Sequence, residues 1–176
     1  VYFDLVQIYI MRNDLETAIA YSFEAEKSHP TAWIAPGAIV IGDVPLGEDV
    51  SVWYNTVIRG DTESLHIGAR TNIQDLSMLH ADPGFPVIIG EDCTIGHRAI
   101  IHGANVGKNC LVGMNAVIMD EVVIGEESII GALAFIKAGS KIPPRSLVVG
   151  NPGKVIKQVR GLPITQPSLE WLSQAI

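Results

Sequence analysis

From Ile34 to Val148 a branched aliphatic residue returns at every sixth position, interrupted three times, and a repeat of that length leaves few folds open. The anchors run Ile34, Val40, Leu46, Val52, Ile58, then Ile67, Ile73, Leu79, then Ile89, Ile95, Ile101. They continue through Val106, Val112, Ile118, Ile124, Ile130, Ile136, Ile142 and Val148, and all nineteen are Ile, Leu or Val. A helix repeats near 3.6 residues and a strand at 2, so a period of six fits neither and predicts an all-β hexapeptide solenoid with three hexads per triangular coil. A small or short side chain sits four residues after most anchors (Thr56, Thr71, Ser77, Ala99, Ala116, Ser128, Ala134), where a coil has to turn an inward corner. Cys93 and Cys110 occupy the same slot, which reads as packing rather than chemistry. Glycine follows many anchors directly, as in Ile89-Gly90 and Ile124-Gly125, which suits a crowded, sharply bent backbone. Asn115 and Asn151 suit corners that need left-handed backbone angles, and Glu91, Asp92, Glu126 and Glu127 read as solvated corners.

The interruptions are where loops and function should collect. Residues 62 to 66 lengthen the step from Ile58 to Ile67, HADPGFPVI lengthens Leu79 to Ile89, and Ile101 to Val106 is one residue short. Every histidine except His29 lies at or beside one of these places. Counting hexads puts Ile58, Leu79 and Ile101 on one wall, so Arg59, His80 and His102, each one residue later, should form a column with coils about 4.8 Å apart. His80 and His102 can then share a ligand. Asp75 and His97, two residues after Ile73 and Ile95, should stack on the preceding wall near a corner, pointing elsewhere. A reactive zinc site needs three protein ligands and keeps one position open. In a threefold-symmetric trimer, a histidine near one corner would meet the pair on a neighbour's wall, giving three equivalent sites.

Composition narrows the partners. With 176 residues at 48% hydrophobic and 18% charged, the chain suits one domain. A net charge of −7 and the lack of any Lys/Arg cluster argue against nucleic acid and anionic membrane, leaving a small-molecule substrate. Two cysteines without C-x-x-C spacing argue against a disulfide framework and suit a reducing cytoplasm. The opening VYFDLVQIYIM carries Asp4 and Gln7, is about half the ~20 residues of a membrane span, and lacks signal-peptide features. The expected division is an N-terminal extension over 1–29, the β-helix over 30–153 and a tail over 154–176. Ser168 could cap a short final helix, SLEWLSQAI.

The stretch VIRGDTESLHIGARTNIQDLSMLHAD, followed by IGEDCTIGHRAIIHG, LVGMNAVIMD and LVVGNPGKV, resembles the gamma-class carbonic anhydrases over roughly residues 30 to 160. That resemblance implies a single-stranded left-handed parallel β-helix, a homotrimer, and a zinc-type metal held between subunits by His80, His97 and His102. Zn2+ is the expected ion, with Fe2+ or Co2+ also suited to imidazole ligation. Arg59 and Asp61 would match the family's ion pair at the subunit interface, and Gln74 the residue that hydrogen-bonds the metal's water. Asn72 would orient Gln74, and Asp75 would sit beside Arg59. The implied activity is reversible hydration of carbon dioxide to bicarbonate by a hydroxide that the metal generates. An acyl-CoA thioesterase, a hexapeptide acyltransferase and a non-catalytic metal-bearing trimeric subunit are the other readings. The chain departs from the best-characterised members in three respects. Its loop after His80 is short and offers only Asp82, Thr62 stands where they have a glutamate beside which Glu63 could substitute, and no tyrosine follows Tyr54. His66 and His29 read as surface or loop residues.

Overall fold

The computed structural model describes residues 25–159. They form a left-handed parallel β-helix with three walls. The first wall stacks Trp33–Ile34, Ser51–Val52, Asn72–Ile73, Thr94–Ile95, Leu111–Val112, Ile129–Ile130 and Ser146–Val149. The second stacks Ile39–Gly42, Val57–Gly60, Met78–His80, Ile100–His102, Val117–Ile118 and Phe135–Ile136. The third stacks Leu65–Ile67, Val87–Ile89, Asn105–Val106, Val123–Ile124 and Lys141–Ile142. Each anchor faces its counterpart one coil away: Ile58 pairs with Leu79, Leu79 with Ile101, and Ile73 with Ile95. The wall bookkeeping from the sequence is therefore the wall order of the structure.

The period of six is the period of the core. From Leu46 to Ile136 every anchor is buried, and only Ile34, Val40 and Ile142, near the ends of the prism, are half-buried. The corner residues Thr71, Cys93, Cys110 and Ser128 form a buried column, each sending its hydroxyl or thiol to a carbonyl of the next coil, as in Thr71 Oγ1 to Gly90 O at 2.8 Å and Cys93 Sγ to Gly107 O at 3.1 Å. The pairing of the two thiols and their burial push Cys93 up, so it stays protonated and packs.

Three expectations about the corners need revision. The left-handed position is the third residue after the anchor, whatever its type: Asp49, Asn55, Leu76, Asp92, Arg98, Asn115, Glu127 and Leu133 all lie there with φ between 54° and 63°. Asn115 fits as expected, but at the exit it is Gly150, with φ 98°, that turns left-handed, not Asn151. The glycines that follow anchors serve close approach instead of bending. A Cβ on Gly90 would lie 2.5 Å from the backbone N of Lys108 in the next coil. The acidic corners are also more than solvated. Arg70 forks onto Asp92 at 2.7 and 2.8 Å and reaches Glu91 at 3.0 Å, while Lys108 meets Glu126 and Arg145 meets Glu127. Water screens such exposed pairs, so they add little to stability.

At the far end the chain reverses. Lys154–Gln158 returns antiparallel to Ser146–Val149 and closes the first wall. The expected final helix and most of the N-terminal extension lie outside the described residues. Among the described residues no helix is long and apolar enough to cross a membrane.

Candidate metal centre

A residue directly after an anchor points outward, so the second wall presents Arg59, His80 and His102 as a column in register. His80 Nδ1 stands 3.1 Å from His102 Nε2, with the rings tilted by 57°. The irregular steps then gather groups around the pair. The longer step after Ile58 brings Thr62 Oγ1 to 3.2 Å from His80 Nε2, and the same hydroxyl donates to Ala81 O. The loop after His80 brings Asp82, so that His80, Asp82 and His102 offer ligand atoms within 4.8 Å of one another. The short step after Ile101 turns through Gly103 with φ 52°, where a Cβ would strike the Asp120 carboxylate. That space lets Asp120 Oδ1 reach His102 Nδ1 at 2.7 Å.

Arg59 binds Asp61 at 2.6 Å, so this ion pair lies within one chain. The other oxygen of Asp61 is buried and makes no hydrogen bond; it is 3.4 Å from His80 Nε2, close enough for charge attraction but out of hydrogen-bond geometry. Asp75 faces His97 Nδ1 at 3.0 Å, as the face count expected, because both come two residues after anchors in adjacent coils. Asn72 gives its amide to Ser51 Oγ at 2.8 Å, and no hydrogen bond joins it to Gln74. Gln74 is half-buried on the first wall, held by its backbone to Ile95 and Thr56. His97 is about half exposed and is not among the groups within ligand reach of the pair in its own chain. His66 is exposed on the third wall and His29 pairs with Thr31, so neither joins the site.

These residues fit a divalent cation. Bonds of about 2.0–2.1 Å in tetrahedral array set two nitrogen ligands about 3.3 Å apart, close to the separation of the pair. The buried, unpartnered Asp61 oxygen adds negative charge beside it. Burial first, and then Arg59, push the His80 imidazole below its ordinary value of 6.5, which keeps it neutral. A histidine with a lowered folded pKa adds stability that is whole above about 6.5 and lost as pH falls through the folded value. The metal-free protein is therefore expected to lose urea resistance between pH 7.5 and pH 5.5, and His80→Gln to flatten that slope. An unchanged slope in the variant would assign the loss to other groups.

Asp120 is the group that the sequence reading overlooked. It comes two residues after Ile118, one coil beyond His102, and extending the face count one coil past the histidines would have found it. Glu63, the carboxylate next to Thr62, is engaged by the backbone. Its carboxylate accepts from Gly84 N at 2.9 Å and Ser64 N at 3.1 Å, which holds its pKa down and ties it to the loop after His80.

Residues 86–120 match the family model for the hexapeptide repeat of succinyl-transferase. The chain is 44% identical over 141 residues to the carnitine operon protein CaiE of Escherichia coli K12, covering 79% of this chain and 72% of that protein. It is 47% identical over 129 residues to a carbonic anhydrase of Geobacillus kaustophilus, covering 73% and 71%. A crystal structure of a hexapeptide transferase family protein from Anaplasma phagocytophilum superposes with a TM-score of 0.74 at 35% identity, covering 84% of this chain and 85% of that one.

Proposed function

We propose that this chain, which belongs to the family of gamma-class carbonic anhydrases and their hexapeptide-repeat relatives, forms a homotrimer with zinc at three intersubunit sites and hydrates carbon dioxide reversibly to bicarbonate. The observation that carries this reading is the convergence of His80 and His102 on one wall while His97 stands half exposed at the next corner. A neighbour's His97 would complete the three-nitrogen set that an open zinc site uses. Leu76, Met114 and Leu133 are exposed along the same corner, and Met78 and Ile100 along the wall of the pair, so association would cover apolar surface as well.

When bound, the cation supplies Lewis acidity that makes water nucleophilic near neutral pH. The protein supplies the rest. Neutral imidazoles bind, Arg59 and Asp61 brace the edge of His80, and the Gln74 amide, brought by the neighbour that brings His97, orients the attacking water. Asp82 is the exposed carboxylate beside the pair and passes protons to solvent. Both cysteines are buried thiols that pack at the corner, in keeping with a reducing, cytoplasmic setting.

Metal content by mass spectrometry on the purified oligomer, followed by carbon dioxide hydration with and without chelator, tests this. About one metal per chain and hydration abolished by chelation and restored by Zn2+ are expected. The likeness to a hexapeptide transferase family structure supports a second reading as an acyltransferase, whose activity would survive chelation. Chelator-sensitive cleavage of acyl-CoA would instead indicate a thioesterase, and metal without any turnover a structural subunit. A metal-free wild type that cannot be loaded would refute the metal centre.

A further inference from the structure

We infer that Asp120 and Thr62 are positioning residues which fix opposite tautomers on His102 and His80, so that two unprotonated ring nitrogens face one point. The inference rests on the reading of the pair as metal ligands, but the tautomers themselves are a property of the metal-free chain.

The hydrogen assignments follow from the partners. Asp120 Oδ1 stands 2.7 Å from His102 Nδ1, and a carboxylate can only accept, so Nδ1 carries the proton and Nε2 keeps its lone pair. On His80 the reasoning goes through Thr62. Its hydroxyl lies in a short contact with Ala81 O, which also can only accept, so the single hydroxyl proton points there. The hydroxyl oxygen is then left to accept from His80 Nε2 at 3.2 Å, which puts the His80 proton on Nε2 and leaves Nδ1 bare. Asp61 Oδ1, 3.4 Å from Nε2, favours the same tautomer. His80 Nδ1 and His102 Nε2 thus face each other at 3.1 Å without a proton between them, an arrangement that repels itself until a cation enters.

The fold supplies both residues at the irregular steps. Thr62 is the first of the residues 62–66 that lengthen the step after Ile58, and Asp120 reaches back one coil only because Gly103 has no side chain to block it. Neither touches the point where the bare nitrogens meet; each acts through the far side of a ring, as outer partners of metal-bound histidines do.

The test uses the full chain as wild type, Asp120→Leu, Asp120→Asn and Thr62→Val. Long-range 15N–1H spectra of the metal-free proteins report the tautomers, and competition with a chromophoric chelator reports Zn2+ affinity. Wild-type His102 is expected as the Nδ1–H form and His80 as the Nε2–H form. Asp120→Leu should release His102 to a tautomer mixture and weaken Zn2+ binding about 10- to 100-fold. Asp120→Asn, which retains an acceptor oxygen, should recover most of both, and Thr62→Val should affect His80 alone. Thermal melts of the metal-free variants check that each is folded. An Nε2–H form of His102 in the wild type, or tautomers unmoved by Asp120→Leu, overturns the inference. If the wild type shows the expected tautomers but takes up no Zn2+, the metal reading fails while the positioning roles stand.

Discussion

Mixed in equal amounts and allowed to exchange subunits, His97→Ala and His102→Ala chains are expected to recover metal at about a quarter of their sites, although neither variant binds any alone. The arithmetic comes from the layout of the site. In the proposed trimer a complete centre would need His80 and His102 from one subunit and His97 from the next. Random exchange puts an intact pair beside an intact His97 with a probability of about one half times one half. Were all three ligands to come from one chain, no mixture could rebuild a site, and recovery would be nil. The effect on each variant alone is large because loss of one of three nitrogens leaves two ligands, fewer than any stable zinc site uses. Carbon dioxide hydration should follow metal content in the same proportion. Metal content after exchange, measured on the reassembled oligomer, decides between the two layouts.

Ile124→Ala should destabilise the chain by about 2–5 kcal/mol, while Val123→Ala, its immediate neighbour, should cost under about 1 kcal/mol. Both lie on the third wall, away from the histidines. Ile124 is an anchor, almost fully buried between Val106 and Ile142, and truncation leaves a hole that neighbouring coils, held by backbone hydrogen bonds above and below, cannot close. Val123 points outward and is exposed, so it loses little. Urea midpoints of the two variants measure the contrast. Equal losses would mean that the inward and outward faces of the wall had been interchanged. Metal bound per folded chain should be the same in both.

The fold was legible because one residue class repeats at one spacing. Burying Ile, Leu or Val at every sixth position requires three flat walls and three corners per coil, and this placed Leu79 beside Ile101, and hence His80 beside His102, before any coordinates. The count failed where an inference needed more than phase. Glycine at the position after an anchor reads as crowded and bent; the crowding is there, with a Cβ meeting the next coil's backbone, but the left-handed turn is not. The true bends fall two residues later, on side chains such as Leu76 and Leu133 that intrinsically resist left-handed angles. Their sequence gives no hint of this, because stacking imposes the angle. At the site, the histidine column was legible but most of its supports were not. Thr62 was noticed as an absent glutamate, not as a hydroxyl aimed at His80, since only the path of the lengthened step brings the two together. One support was legible, since the hexad phase pairs Asp75 with His97.

A stack of parallel coils has no natural last member, because every coil exposes the same pattern of donors and acceptors that received it. Lys154–Gln158 ends that succession by running backward along Ser146–Val149. Among the described residues it is the last strand of that wall, and it runs against the direction in which a further coil would continue. The segment therefore covers the edge of Ser146–Val149 that would otherwise lie open to a strand of another chain.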